Sequence, residues 1–168
     1  MLGIFKDRQL IRMSDAKMFS EITFAFLYGI KTTTSPSLDG LYRDFDEDFP
    51  QAKKTESRIA DSINTILGWA EIHNTALMKP HIFYALVLAI AHTKNPVEGL
   101  LSKYKPSSGI NKNAIVNLTA LAEALESEGN APKKFSDFVS ASSRTTNDVK
   151  RRTTIFQWIC KALELEKI

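Results

Sequence analysis

The sequence predicts an all-α protein, a single-domain irregular bundle of about seven or eight helices. Three observations predict it. Apolar residues recur at helical spacing in successive stretches, no stretch alternates convincingly with period two, and "IFYALVLAIA" (Ile82 to Ala91) is almost wholly apolar. That run is too short to cross a bilayer, which needs ~20 such residues, so it reads as a buried core helix.

The first element is "IRMSDAKMFSEITFAFLYGI". Ser14 reads as an N-cap, and Asp15 places its negative charge at the positive end of the helix dipole. Arg12 is positioned to pair with Asp15. Met18, Ile22, Ala25, Phe26 and Gly29 follow at helical spacing, and Phe19, Phe24, Leu27 and Tyr28 widen the apolar surface nearly all round. Such a helix, 14–29, belongs at the centre of a fold. The opening residues Arg12, Ser14 and Asp15 are thus a structural motif, the place where a buried helix surfaces.

A loop break falls near 31–37, at "KTTTSPS". Leu38, Leu41, Tyr42, Phe45 and Phe49 then predict a short amphipathic helix with an acidic outer face, closed by Pro50. Ile59, Ile63, Ile66, Leu67 and Ala70 form the stripe of a longer helix. Pro80 precedes the apolar helix 81–92. Asn95 and Pro96 read as N-cap and first residue of another short helix. A second break lies near 105–110, at "KPSSG". Ala114 to Leu125 carry a helix that Gly129 can end. Phe135, Phe138 and Val139 suggest a short helix, and Val149, Phe156, Ile159, Cys160 and Leu163 place a stripe on the last one, capped by Thr146 or Asn147.

The chain has 168 residues, 43% of them hydrophobic, enough to bury a core without a metal or disulfide staple. One cysteine, Cys160, excludes an internal disulfide framework and fits a reducing compartment. The N-terminal "MLGIFKDRQLIRM" carries charges where a signal peptide has its apolar core, so the expectation is a soluble, cytoplasmic protein with no membrane contact. The net charge of +3 is uneven: residues 1–93 carry −1 and residues 94–168 carry +4. Any anion-binding surface is therefore expected in the C-terminal half.

Catalytic patterns are sparse. "DFDED" places Asp44, Asp46 and Asp48 at alternate positions, as a calcium loop would, but Phe49 stands where Gly is required and Thr55 where Glu is required. His81 and His92 point the same way on one helix, yet lie roughly 16 Å apart along its axis. No Walker A loop, GxGxxG or GxSxG is present. Cys160 falls on an apolar stripe, where a thiol is inert. The reading expects no catalytic residue, no cofactor and no metal.

The densest basic stretch is "SSRTTNDVKRRTT". Arg144, Lys150 and Arg151 are the candidate nucleic-acid contacts, because helix N-termini and arginines favour phosphates. The plainer alternative is a solvated basic face. Lys150, Arg151 and Arg152 are consecutive, so they fan across roughly 200° of helix surface and cannot share one phosphate track. Arg152 follows Val149 by three and precedes Phe156 by four, so it leans toward the apolar stripe. It is expected to be partly buried against an acid and to serve structure, with Lys150 and Arg151 exposed.

The stretches "RMSDAKMFSEITFAFLYGI", "LDGLYRDFDEDFP" and "FVSASSRTTNDVKRRTTIFQWICKAL" together resemble the helical part of the GmrSD-type, ParB-like-domain family. Many of its members are bacterial modification-dependent restriction and phage-defence proteins. The resemblance rests on Arg12, Met13 and Asp15 at the helix start, Gly29 and Ile30 at its end, Tyr42, and Arg152 in the late Arg-bearing helix. It spans nearly the whole chain with short, mostly structural motifs. Family members also carry a ParB-like domain with a D-G-Q-Q-R motif, and many an HNH nuclease; neither is present here. The resemblance therefore implies an excised helical domain or split-gene remnant: a non-catalytic module of a DNA-directed defence protein. Such a module couples neighbouring domains, oligomerises or contacts DNA. Its implied partners are a ParB-like or HNH nuclease domain or chain, duplex DNA, or a second copy of itself. Two rivals stay open: a stand-alone DNA-binding protein using the surface from Arg144 to Arg152, and an enzyme of unrecognised type.

Overall fold

The apolar run becomes the centre of the molecule. The computed structural model describes residues 4, 13–127, 129–143 and 147–168, and among these it contains seven α-helices and no strand. The helices are α1 (Ser14–Tyr28), α2 (Ser35–Asp44), α3 (Ala52–Leu67), α4 (Pro80–Lys94), α5 (Ala114–Glu126), α6 (Ser136–Ser142) and α7 (Val149–Glu164). Short 3-10 turns at Ala70–Ile72, Ala76–Met78, Glu98–Leu100 and Lys133–Phe135 join them. The all-α architecture follows from the period of the apolar residues.

Every residue of α4 from Ile82 to Thr93 is buried. A helix apolar on all faces has to be surrounded, and α7, α3 and α1 surround it, with α7 making the broadest contact. Helix α7 in turn packs on α5 and α6, and its Ile155, Phe156, Ile159, Cys160 and Leu163 are all buried. Two buried polar side chains tie the end of α7 to the loop before α5 and to α5 itself. Glu164 accepts from the Tyr104 hydroxyl (2.6 Å) and the Ser107 amide (2.6 Å), and Asn117 Nδ2 donates to the carbonyls of Ala162 (3.1 Å) and Leu165 (2.8 Å).

Several local expectations are corrected. Helix α1 is not apolar-buried all round: Met18, Glu21, Ile22, Ala25 and Phe26 face the core, while Phe19 and Tyr28 are 38% and 39% exposed. Ser14 is not the N-cap. Met13 precedes the helix in a left-handed conformation (φ 53°, ψ 34°), and no side chain caps the helix. A capping residue needs extended backbone for its hydroxyl to reach forward, and Ser14 is already helical. Asp15 does occupy the first turn. Arg12 lies outside the described residues.

The break at 31–37 is shorter than expected, because Thr34 and Ser37 form a reciprocal capping box that starts α2 at Ser35. The Ser37 amide donates to Thr34 Oγ1 (3.3 Å) and the Thr34 amide to Ser37 Oγ (2.8 Å). Pro36 fits because the first helical turn needs no amide donor from it. Phe45 and Phe49 fall beyond α2, with their rings 4.7 Å apart. Asn95 closes α4 rather than opening a helix, since its amide donates to the Ala91 carbonyl. The following turn starts instead at Val97, whose amide donates to His92 Nδ1 (2.9 Å). Gly129 has φ +95°, but three residues past the end of α5. The cap of α7 is Asp148, whose Oδ1 accepts from the Arg151 amide (2.9 Å). Thr146 lies outside the described residues, and Asn147 is engaged elsewhere.

Candidate functional site

Asn147 belongs to a polar cluster centred on Arg152. Arg152 is 4% exposed. Its Nη2 donates to Glu21 Oε2 at 2.6 Å and to Asn147 Oδ1 at 2.8 Å, and its Nη1 donates to Thr33 Oγ1 at 3.1 Å. Thr33 Oγ1 donates to Glu21 Oε1 (2.9 Å), and Asn147 Nδ2 donates to the Thr33 carbonyl (3.1 Å). The guanidinium carbon sits 4.4 Å from the centre of the Tyr84 ring. Burial pushes the Tyr84 hydroxyl up to about 12. The cluster joins α1, the α1–α2 loop, α4 and α7. A charge taken out of water has to be met by an opposite charge and hydrogen bonds; Glu21 supplies the charge and Glu21, Thr33 and Asn147 engage both terminal nitrogens, while Nε is buried without a partner. The arrangement serves structure: both charges are sealed from solvent and spent on each other.

One signal in the sequence pointed to Glu21. It is the carboxylate that interrupts the face Met18–Ile22–Ala25, three residues after Met18. A charge on a buried helical face demands a partner.

The candidate nucleic-acid residues separate. Lys150 is exposed at the start of α7. Arg151 is half-buried and its Nη1 donates to the Ser140 carbonyl at 3.2 Å. Both border a cleft that also takes in Asp137 and Asp148, so two carboxylates share the surface proposed for phosphates. Arg144 lies outside the described residues.

The chemically reactive side chains are turned to packing. His92 is fully buried, with Nε2 against the Tyr104 carbonyl (2.8 Å) and Nδ1 accepting from Val97. Both nitrogens are satisfied only in the neutral ring, and burial lowers its pKa from the usual histidine value. His81 bonds the Ser142 carbonyl (3.0 Å), and burial lowers its pKa too. Cys160 is fully buried; burial first, and the nearby Glu164 second, push its thiol well above the usual range. Among the described residues, no group of three His, Cys, Asp or Glu side chains could hold a metal, and no helix is long and apolar enough to cross a membrane.

One opening in the fold is apolar. Phe19 on α1, Tyr42 on α2 and Phe49 before α3 border a groove of about 310 Å³. It continues past Phe19 and Phe49 into a second depression of about 450 Å³ bordered by Ile59 and Ile63 on α3. Tyr42 is 56% exposed, and its hydroxyl bonds Ser20 Oγ, which fixes the ring over the groove. The sequence pattern missed this face because it assigned Phe19 to the core. Compared with known protein families, curated proteins and solved structures, the chain matches none.

Proposed function

We propose that the chain is a non-catalytic helical module of a cytoplasmic, DNA-directed bacterial defence protein, and that it couples neighbouring domains or chains. The observation that carries this reading is the continuous apolar groove from Tyr42 through Phe19 and Phe49 to Ile59 and Ile63. Apolar surface left wet costs free energy that association would recover. The sealed Arg152–Glu21 pair supports the same reading, because it makes the late Arg-bearing helix a structural element. The resemblance supplies the class of partner, a ParB-like or HNH nuclease domain.

The test uses the whole chain and the product of an adjacent ParB-like or HNH reading frame, mixed and sized by light scattering. A stable complex is expected, lost in Phe19→Asp and Ile59→Asp variants that still melt cooperatively. A complex unaffected by both variants would overturn the assignment of this face. Self-association lost in the same variants would instead make the occupant a second copy.

The rival reading, a stand-alone DNA-binding protein, rests on exposed Lys150 at the start of α7. Asp137 and Asp148 beside it oppose phosphate, so it ranks second. Titration with duplex DNA at two salt concentrations separates the two. Turnover by a contaminant-free preparation would favour the third reading, an enzyme of unrecognised type.

A further inference from the structure

A larger cleft, about 700 Å³, lies apart from Lys150 and Arg151, between the end of α1, the start of α3 and the segment 96–99. Phe26, Tyr28 and Phe45 give it an aromatic lining, and Lys54 and Arg58 a cationic one. Arg58 is the under-satisfied cation of this cleft. Its Nε is buried without a hydrogen-bond partner. Its Nη2 reaches only the Pro96 carbonyl, at the 3.5 Å limit of a hydrogen bond. Among the described residues, no carboxylate lies within 4.0 Å of the Arg58 guanidinium. Glu98 borders the same cleft, and Asp61 follows Arg58 by one turn; neither reaches it.

Burial also lowers the Arg58 pKa from the ordinary arginine value. Lys54 stands four residues before Arg58, so the two cations share one face of α3, an arrangement that weakens a helix. A partly desolvated guanidinium without a counter-ion costs free energy that a bound anion would return. The aromatic lining adds a requirement, since a bare inorganic ion would leave it wet.

We infer that this cleft binds an anion with an aromatic or other apolar body, its phosphate, sulfonate or carboxylate held by Arg58 and Lys54 and its body by Phe26, Tyr28 and Phe45. The inference is independent of the proposed function. It places an anion site in the half of the chain whose net charge is −1, because the relevant charge is local.

The experiment titrates the full chain with naphthyl phosphate and follows backbone amides by nuclear magnetic resonance. Naphthol and inorganic phosphate serve as the neutral and bodiless comparisons. Shifts are expected to centre on Gly29, Thr55, Arg58 and Gly99. Each comparison compound should bind about tenfold more weakly, the scale of one charge-assisted hydrogen bond or one buried ring. Arg58→Gln should weaken naphthyl phosphate by about tenfold or more, and Lys54→Gln by a smaller factor. The proposal is overturned if millimolar naphthyl phosphate leaves those amides unmoved, or if shifts gather at Phe19 and Ile59. It is also overturned if naphthol binds as tightly, or if a folded Arg58→Gln protein keeps full affinity. Should Arg58→Gln fail to fold, Lys54→Gln and the naphthol comparison decide.

Discussion

Arg152 and Glu21, 131 residues apart in the chain, meet at 2.6 Å with side-chain exposures of 4% and 9%. The pair fastens the last helix to the first across the central one. Thr33 and Asn147 add further hydrogen bonds to it.

Removing one partner of this pair leaves the other buried and uncompensated. Arg152→Met is therefore expected to cost about 3–5 kcal/mol, read as a melting temperature lowered by roughly 10 °C in a domain of this size. Arg152→Lys should also lose stability, because one ammonium cannot serve Glu21, Thr33 and Asn147 together. The double variant Arg152→Met with Glu21→Leu should recover most of the loss. Denaturant melts of the variants check this; a cost below about 1 kcal/mol for Arg152→Met would refute the assignment.

Gly29 ends α1 with φ 80° and ψ 175°, a region open almost only to glycine. A Cβ there would also stand 2.6 Å from the Gly99 carbonyl oxygen. Gly29→Ala should cost at least about 2 kcal/mol. Gly109 has φ +72° but open space around it, so Gly109→Ala should cost only about 1 kcal/mol. Equal urea midpoints for the two variants would show that the Gly29–Gly99 approach contributes nothing.

Burial depresses the His92 pKa in the folded state, so between that value and about 6.5 the unfolded chain binds more protons. Stability is therefore full above about pH 6.5 and falls as the solution is acidified through that window. His81, shifted the same way, adds to the slope. His92→Gln should be less stable at neutral pH and should flatten the acid-side slope. Melting curves from pH 7.5 downward test this, and an unchanged slope would mean that His92 is not held neutral.

If duplex DNA binds at the start of α7, Lys150→Ala should weaken binding at every sequence and lower the salt slope by about one. Arg151→Ala should lower it less, because its guanidinium is held by the Ser140 carbonyl. The sequence alone gives both residues equal weight and a combined slope change of about two. Fluorescence titrations at several salt concentrations distinguish these outcomes; equal losses from the two single variants would place Arg151 on the DNA.

The sequence by itself determined the helices and the central one, since periodicity and a run of apolar residues are local properties. It also determined that Arg152 leans toward the core, from its spacing to Val149 and Phe156. Tertiary structure alone decided what those elements meet. The partner of Arg152 is 131 residues away, and no local pattern encodes that distance. Asn147 is drawn to Arg152 and Thr33, which leaves Asp148 to cap α7. Val97 takes its place against His92, so the turn after α4 starts there rather than at Asn95. Phe19 has the spacing of a core residue, yet neighbouring elements cover only one side of α1, and its ring remains at the surface. Arg58 reads as an ordinary surface charge on an amphipathic helix; only the approach of segment 96–99 encloses it without a counter-ion. In each case the deciding quantity is the desolvation of a side chain, and that depends on which distant segment arrives beside it.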